Sequence, residues 1–303
     1  MIFNQIYVLG AGAIGSVYGA LLSRKNSVTL VGRKAHIDAV NSNGLCVLGD
    51  VNEVFHVKAE TEIHEIPQKT LIILTTKAHE TAEAIKSIKK LLRKDTAILI
   101  MQNGVGNEEA VNKIVGGKAK VLRGLTMMAA EFFEPGKVKF WRGETVIEIN
   151  EVGENIAKVF NECGLKTRLS KDIVRETWCK LIINCVVNPL TALFRVRNFE
   201  IASETLKAVR HEIIKECIQV AEAEGICLPN NIEKEIVKKL AKYTNFSSMY
   251  QDILKGKKTE IDFLNGKIVE LGRKNGIPTP VNEALVSLIK FLEGKSCGFS
   301  GKD

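Results

Sequence analysis

Two groups of residues in this 303-residue chain are spaced for chemistry. Gly10, Ala11, Gly12, Ala13, Ile14 and Gly15 carry G-x-G-x-x-G spacing between an apolar run at 6–9 and a helix-like stretch at 16–24. Between a strand and a helix, such glycines give a tight turn, let a pyrophosphate approach the backbone and allow close helix-to-strand packing. The N–H groups and positive dipole end of the following helix then favour an anion. Glycines that serve only packing and turns are the competing reading, which the strand signal before and the helix signal after disfavour. A second strand at 27–31 leads to Arg33, where NAD-preferring sites usually carry an acid for the ribose 2′-hydroxyl. An acid would repel a 2′-phosphate, whereas Arg33 can clamp one through charge-assisted hydrogen bonds, so the position points to NADP(H). Otherwise Arg33 is a solvent-facing loop arginine; Lys34 either assists or stays in water.

The second group lies in Trp178-Cys-Lys-Leu-Ile-Ile-Asn-Cys-Val-Val-Asn-Pro. Lys180, Asn184 and Asn188 recur every four residues and share one helical face. At the helical rise they span about 12 Å, the length of a small substrate. The apolar residues around them predict a mostly buried helix, where a lysine and two amides carry a desolvation cost. Either they satisfy one another and nearby backbone, or they line a cleft where a ligand binds.

Smaller constellations accompany these. Thr75-Thr76-Lys77 and Gln102-Asn103-Gly104 each follow an apolar strand signal, where open α/β sheets bind ligands, although Asn-Gly is also ordinary turn chemistry. Ser247 or Ser248 is placed to cap a short helix, and Thr259 to cap the next with Asp262 at the capping-box position. That leaves Glu260 free at an early helical position, where a carboxylate is electrostatically comfortable.

The elements that must hold these residues alternate in the first half. Strands are predicted at 2–9, 27–31, 44–48 with 54–59 as a hairpin, 70–75, 96–101, 119–130, 137–141 and 145–149. Helices are predicted at 80–92 and 152–163, a pattern that builds a mostly parallel sheet covered by helices. Beyond about residue 170 only helical patterns remain, at 174–188, 200–224, 232–243, 259–275 and 282–293. The expected fold is α/β: a Rossmann-type nucleotide-binding domain over 1–170 and an all-helical substrate-binding domain over 171–303, with a frayed tail at 294–303.

Composition narrows the function classes. Hydrophobic residues make up 45% and charged residues 26%, as in ordinary globular proteins. A formal charge of +8 suits anionic small molecules as well as nucleic acid, but the basic residues are mixed with glutamates along helices. No helix-turn-helix, aromatic-basic interleaving or zinc spacing supports nucleic-acid binding. Seven cysteines without a Cys-x-x-Cys pair and five histidines without ligand spacing predict no metal and reduced thiols in a cytoplasmic setting. No signal segment is read before the first strand, and the apolar segments read as too short or interrupted to span a bilayer.

From Gly10-Ala-Gly-Ala-Ile-Gly through Lys77, Gln102-Asn-Gly, the Lys180 helix, Ser247-Ser-Met-Tyr-Gln-Asp and Thr259-Glu-Ile-Asp, the chain resembles the ketopantoate reductases over nearly its whole length. The glycine fingerprint is shared by many dehydrogenases; the ordered motifs in both halves are far more specific. The resemblance implies NADPH-dependent reduction of 2-dehydropantoate to (R)-pantoate, on the route to pantothenate and coenzyme A, in a cleft between a Rossmann domain and a helical domain. It implies that Lys180 is the general acid and that Glu260 helps bind the substrate and organise the site. It makes Asn184, Asn188, Asn198 and Ser248 substrate contacts, and places Asn103 and Lys77 near the nicotinamide and the reacting centre. None of these positions departs from the pattern, while Tyr250 and the lysines around it leave room for altered cofactor use or product regulation. Another 2-oxoacid reductase or an opine-type dehydrogenase is the nearest competitor, and a non-catalytic NADP(H)-binding protein the next. A homodimer is compatible with the helical second half, by association rather than from an identified patch.

Overall fold

The computed structural model describes residues 2–296, so Cys297 and most of the expected frayed tail lie outside the described residues. The chain forms two compact units, one of residues up to Gln102 with Gly106–Ile173, the other of Asn103–Val105 with the chain from Val174 on. The short segment 103–105 thus joins the helical unit, a long-range assignment that local sequence pattern does not carry.

The first unit begins β1 (Gln5–Leu9), α1 (Ala13–Ser23), β2 (Val28–Val31), α2 (Lys34–Asn43), β3 (Leu45–Gly49), β4 (Glu53–Phe55), β5 (Lys58–Glu60) and β6 (Thr70–Leu74). A 3-10 turn at Ala78–Glu80 leads into α3 (Thr81–Ile88), β7 (Ala97–Ile100), α4 (Asn107–Val115) and β8 (Lys120–Thr126). Then come β9 (Ala129–Glu134), β10 (Lys137–Trp141), β11 (Thr145–Glu148), α5 (Glu151–Glu162) and β12 (Thr167–Ser170). Eight strands make the main sheet in the order β12-β11-β8-β7-β6-β1-β2-β5. From β8 to β5 all neighbours are parallel, and β11 closes antiparallel on β8. Central strands are buried on both faces, with Val8, Ile72, Ile73, Ile98 and Leu99 at 0% exposure, which is why they read as continuous apolar runs.

Chain order departs from β1 in both directions, so the carboxyl ends of β1 and β6 form the topological switch point where such sheets bind ligands. Leu9 pairs with Leu74, which brings Gly10 and Thr75 out side by side.

Several expected elements differ. β3 and β4 pair antiparallel, but the stretch predicted to complete that hairpin leaves at Lys58 and pairs with β2 instead. The single strand expected over 119–130 divides: β8 stays in the main sheet, and β9 joins β10, β3 and β4 in a second sheet. An unbroken apolar run carries no signal for a change of sheet. The helix expected over 80–92 is shortened to Thr81–Ile88.

The second unit is helical. α6 (Ile173–Phe194), which starts at the boundary, is followed by 3-10 turns at Asn198–Ala202 and Glu204–Leu206, then α7 (Lys207–Ala223) and α8 (Ile232–Leu240). α9 (Ser248–Leu254), a 3-10 turn at Ile261–Phe263, α10 (Asn265–Asn275) and α11 (Pro280–Ser296) complete it. The expected helix 259–275 is interrupted at Leu264, and α7 starts seven positions later than the expected 200 because 3-10 turns precede it. Left-handed Gly276 (φ 69°) ends α10, and Pro280, whose missing N–H is harmless at a first helical position, starts α11.

α6 corrects the reading that no segment is long enough to cross a bilayer. By length and composition it qualifies, because it continues through Pro189 to Phe194. However, 67% of its apolar window is buried within the fold, with Leu181, Ile182, Cys185 and Val186 packed in the core of the helical unit. It is a core helix.

Candidate active site

The glycine turn after β1 is built by close backbone contacts. Gly10 N and Ala11 N both donate to the Val31 carbonyl, at 2.9 and 2.8 Å, and Thr75 Oγ1 donates to the Gly10 carbonyl at 2.8 Å. At Gly10, φ is +112° and a Cβ would come within 2.4 Å of Thr76 N. At Gly15 a Cβ would meet the Gly10 carbonyl oxygen at 2.2 Å. Both glycines are therefore demanded by the fold. Gly12 is different: it is extended, exposed, and nothing lies within 4 Å of where a Cβ would stand. It is also the N-cap of α1, with no side-chain cap. The uncapped N–H groups there, beside a glycine that packing does not require, fit a dinucleotide pyrophosphate. Ala13 and Ile14 open the helix and are half-buried.

Arg33, at the end of β2, is exposed, and its Nη2 pairs with Glu80 Oε1 at 2.8 Å. Lys34 pairs with Asp38 at 2.9 Å one helical turn on. Lys77 is half-buried at the start of the 3-10 turn that carries Glu80. Gln102 is 4% exposed and donates through Nε2 to Thr76 Oγ1 at 2.8 Å, while its Oε1 is buried without a partner. Its carbonyl accepts from buried Arg123 Nη2 at 2.9 Å. Burial pushes the Arg123 guanidinium below its ordinary value and Glu108, 3.4 Å away, pushes it back. Together these contacts fix the end of β7. Glu80 was missed as a site residue: the sequence reads it as the start of a helix, and nothing local links it to a position 47 residues away.

In the helical unit, Lys180 and Asn184 are half-buried and Asn188 is 5% exposed on one face of α6. Among the described residues neither the Asn184 nor the Asn188 carboxamide makes a hydrogen bond, so mutual satisfaction does not explain them. Asn198, 6% exposed at the start of a 3-10 turn, leaves its Oδ1 buried without a partner. Glu260 is not free: it is 6% exposed, and its Oε2 accepts from Asn103 Nδ2 at 3.2 Å. The reason is the inclusion of 103–105 in this unit, where Gly104 (φ +88°) lies so close to Phe263 that a Cβ would reach the Phe263 carbonyl oxygen at 2.5 Å. Thr259 Oγ1 accepts from Ile261 N at 3.2 Å, but the 3-10 turn that follows has Glu260 as its N-cap, and Asp262 pairs with Lys290 at 2.7 Å instead of closing a capping box.

Of the two serines, Ser247 is the cap. It is buried, accepts from Tyr250 N at 3.1 Å, and lies 2.6 Å from Thr191 Oγ1 on α6. Ser248 is exposed at the first position of α9, and Tyr250 is buried. Among the described residues no group of three or more His, Cys, Asp or Glu side chains is arranged for a metal ion.

Family models described as ketopantoate reductase PanE/ApbA and ketopantoate reductase PanE/ApbA C terminal match residues 6–154 and 172–293. The chain belongs to the ketopantoate reductase family. Among relatives, the 2-dehydropantoate 2-reductase of Pyrococcus horikoshii is 38% identical, covering 97% of this chain and 99% of that protein. The solved PanE/ApbA family ketopantoate reductase of Ralstonia eutropha JMP134 superimposes with a TM-score of 0.90 at 32% identity, over 97% and 99% of the two chains. D-mandelate dehydrogenase, solved with NADH and anilino(oxo)acetate, has a TM-score of 0.87 at 28% identity over the same shares. The ketopantoate reductase architecture of a parallel-sheet domain followed by a helical one is the α/β fold described above.

Proposed function

We propose that this chain is an NADPH-dependent oxidoreductase that reduces the ketone of 2-dehydropantoate to (R)-pantoate, a step of pantothenate and coenzyme A biosynthesis. The reading is carried by the polar face of α6, where Lys180, Asn184 and Asn188 stand on a core helix and both carboxamides lack partners among the described residues. Carboxamides left unpaired on a core helix are available to a ligand, and the Asn198 Oδ1, which is buried without a partner, costs free energy unless a ligand satisfies it. Relatives that bear the name 2-dehydropantoate 2-reductase over nearly the full chain support the same substrate.

When bound at the Gly10–Gly15 turn, a nicotinamide cofactor supplies the hydride. As the ketone carbon receives it, negative charge develops on the ketone oxygen. The Lys180 ammonium stabilises that charge and passes a proton to that oxygen, and is itself reprotonated from solvent. Asn184, Asn188 and Asn198 hold substrate oxygens without adding charge, and thereby fix the ketone face presented for attack. Glu260, held by Asn103, accepts from a substrate hydroxyl. Ser248 is a further contact, and Lys77 lies on the nucleotide side. Arg33 reads the 2′-phosphate, which favours NADPH. The protein works in the cytoplasm, a reading supported by six described cysteines none of which is joined in a disulfide.

Steady-state NADPH oxidation tests the proposal, with 2-dehydropantoate compared against pyruvate and bulkier 2-oxoacids. A kcat/KM for 2-dehydropantoate at least about a hundredfold above the others is expected for a site built to hydrogen-bond the substrate's hydroxyl. The likeness to D-mandelate dehydrogenase supports a second reading, interconversion of another 2-oxoacid with its D-hydroxy acid. A preference for an aryl oxoacid would select it.

A further inference from the structure

The position that reads the ribose 2′-substituent does not present uncompensated positive charge. Arg33 Nη2 is 2.8 Å from Glu80 Oε1, with the arginine side chain 77% exposed and the glutamate 36%. Lys34, the next residue along, is 2.9 Å from Asp38. Each of these two adjacent cations is matched by an anion. An exposed pair of this kind contributes little to stability, so packing gives no reason for Glu80. In NAD-type sites, an acid at the end of the second strand accepts from the ribose hydroxyls. Here that strand end carries Arg33, and the acid arrives instead from the 3-10 turn (Ala78–Glu80) that follows β6, the neighbour of β1 at the switch point.

We infer that Glu80 is a specificity-determining residue of the nucleotide site and holds the preference for NADPH over NADH far below what Arg33 alone would set. With NADPH, Arg33 leaves Glu80 for the 2′-phosphate, and the carboxylate stands near a group of like charge. With NADH, Glu80 accepts from the 2′-hydroxyl while Arg33 stays paired. NADPH thus stays the better ligand, by a margin that Glu80 keeps narrow. The inference rests on the dinucleotide reading of the glycine turn.

Equilibrium titration of NADPH and NADH, with 2′,5′-ADP and AMP as probes of the 2′ position alone, tests it on the whole chain. For the wild type the two dinucleotide Kd values should lie within about tenfold of each other. Glu80→Gln removes the like charge and keeps an acceptor, so NADPH and 2′,5′-ADP should tighten by about tenfold while NADH and AMP stay within about twofold. Arg33→Gln should weaken NADPH and leave NADH nearly unchanged. If Glu80→Gln moves neither 2′-phosphorylated ligand, with melting temperature unchanged, the role of Glu80 is wrong while the nucleotide site stands. If the wild type binds none of the four probes, the nucleotide reading falls and this inference with it.

Discussion

Asn265 Nδ2 donates to the Cys185 carbonyl at 2.9 Å, and Cys185 is the residue whose carbonyl a backbone N–H at position 189 would have taken. Pro189 has no N–H, and a proline in a helix interior normally breaks it. α6 nevertheless continues to Phe194, because a side chain from α10 replaces the missing donor. The replacement is itself held. Asn265 also donates to Asn282 Oδ1 at 2.9 Å, and Asn282 donates to buried Glu216 Oε2 at 2.7 Å. Glu216 in turn accepts from the Val281 and Asn282 N–H groups at the start of α11, where the helix dipole favours a carboxylate. Three helices thus fix the carbonyl between Asn184 and Asn188.

Asn265→Ala should therefore strand a buried carbonyl and destabilise the fold by about 1–3 kcal/mol in urea unfolding. Adding Pro189→Ala restores an N–H that can reach Cys185, so the double variant should recover part of the loss. Strict additivity of the two changes would show that the amide does not stand in for the missing donor.

Lys180→Ala should lower turnover by about 10²–10⁴-fold, the usual contribution of a positioned acid. NADPH affinity, measured by direct titration, should change by less than about twofold, since the nucleotide turn is built from residues of the other unit. Comparable losses in turnover and in nucleotide affinity would remove Lys180 from the acid role.

The glycine turn and the α6 stripe were legible in the sequence because each is a local spacing: three glycines within six residues, and polar residues one helical turn apart. What stayed hidden depends on partners far along the chain. Glu80 meets Arg33 across 47 positions, Asn103 meets Glu260 across 157, and Asn265 meets Cys185 across 80. No periodicity reports such contacts. The split of the 119–130 run between two sheets is of the same kind, because an apolar strand looks alike whichever neighbour it finds. α2 and α4 were passed over for a different reason: their sequences are largely polar, with only His36, Ile37 and Val40 buried in the first and Asn107, Val111 and Val115 in the second. Pro189 misled in the opposite direction, since the local rule that ends a helix at proline holds only where no other donor is supplied.

Gly12 and Gly15 should separate ligand from fold. A methyl at Gly12 meets nothing within 4 Å, whereas one at Gly15 meets the Gly10 carbonyl oxygen at 2.2 Å. Gly12→Ala should leave unfolding free energy within about 1 kcal/mol, the loss expected where alanine replaces a capping glycine. Gly12→Val should weaken NADPH binding by at least about tenfold by filling the approach to the backbone. Gly15→Ala should cost about 1–3 kcal/mol of stability through overpacking. Equal destabilisation by both alanine variants would mean that Gly12, too, is a packing glycine.

His36 predicts how this nucleotide unit responds to acid. Gly136 N donates to His36 Nδ1 at 3.0 Å, which leaves Nε2–H to donate to Ser16 Oγ at 3.0 Å, on the residue after Gly15. The ring is buried in its neutral form, and burial lowers its pKa below the ordinary value of 6.5. A proton on Nδ1 would face the Gly136 N–H and break that contact. The unfolded chain takes up this proton at a higher pH than the folded one, so the stabilisation is fully present above the unfolded pKa. It is lost as pH falls from about 6.5 towards the folded value, at up to about 1.4 kcal/mol per pH unit. Unfolding free energies at pH 7.5 and 5.5 should therefore fall more steeply for the wild type than for His36→Gln, which cannot titrate. Parallel slopes would show that His36 binds protons equally in both states. Because Gly12 precedes α1 and Arg33 precedes α2, NADPH affinity should hold over that interval, where the folded ring stays neutral, and weaken only as pH falls through the folded value, more in the wild type than in the variant.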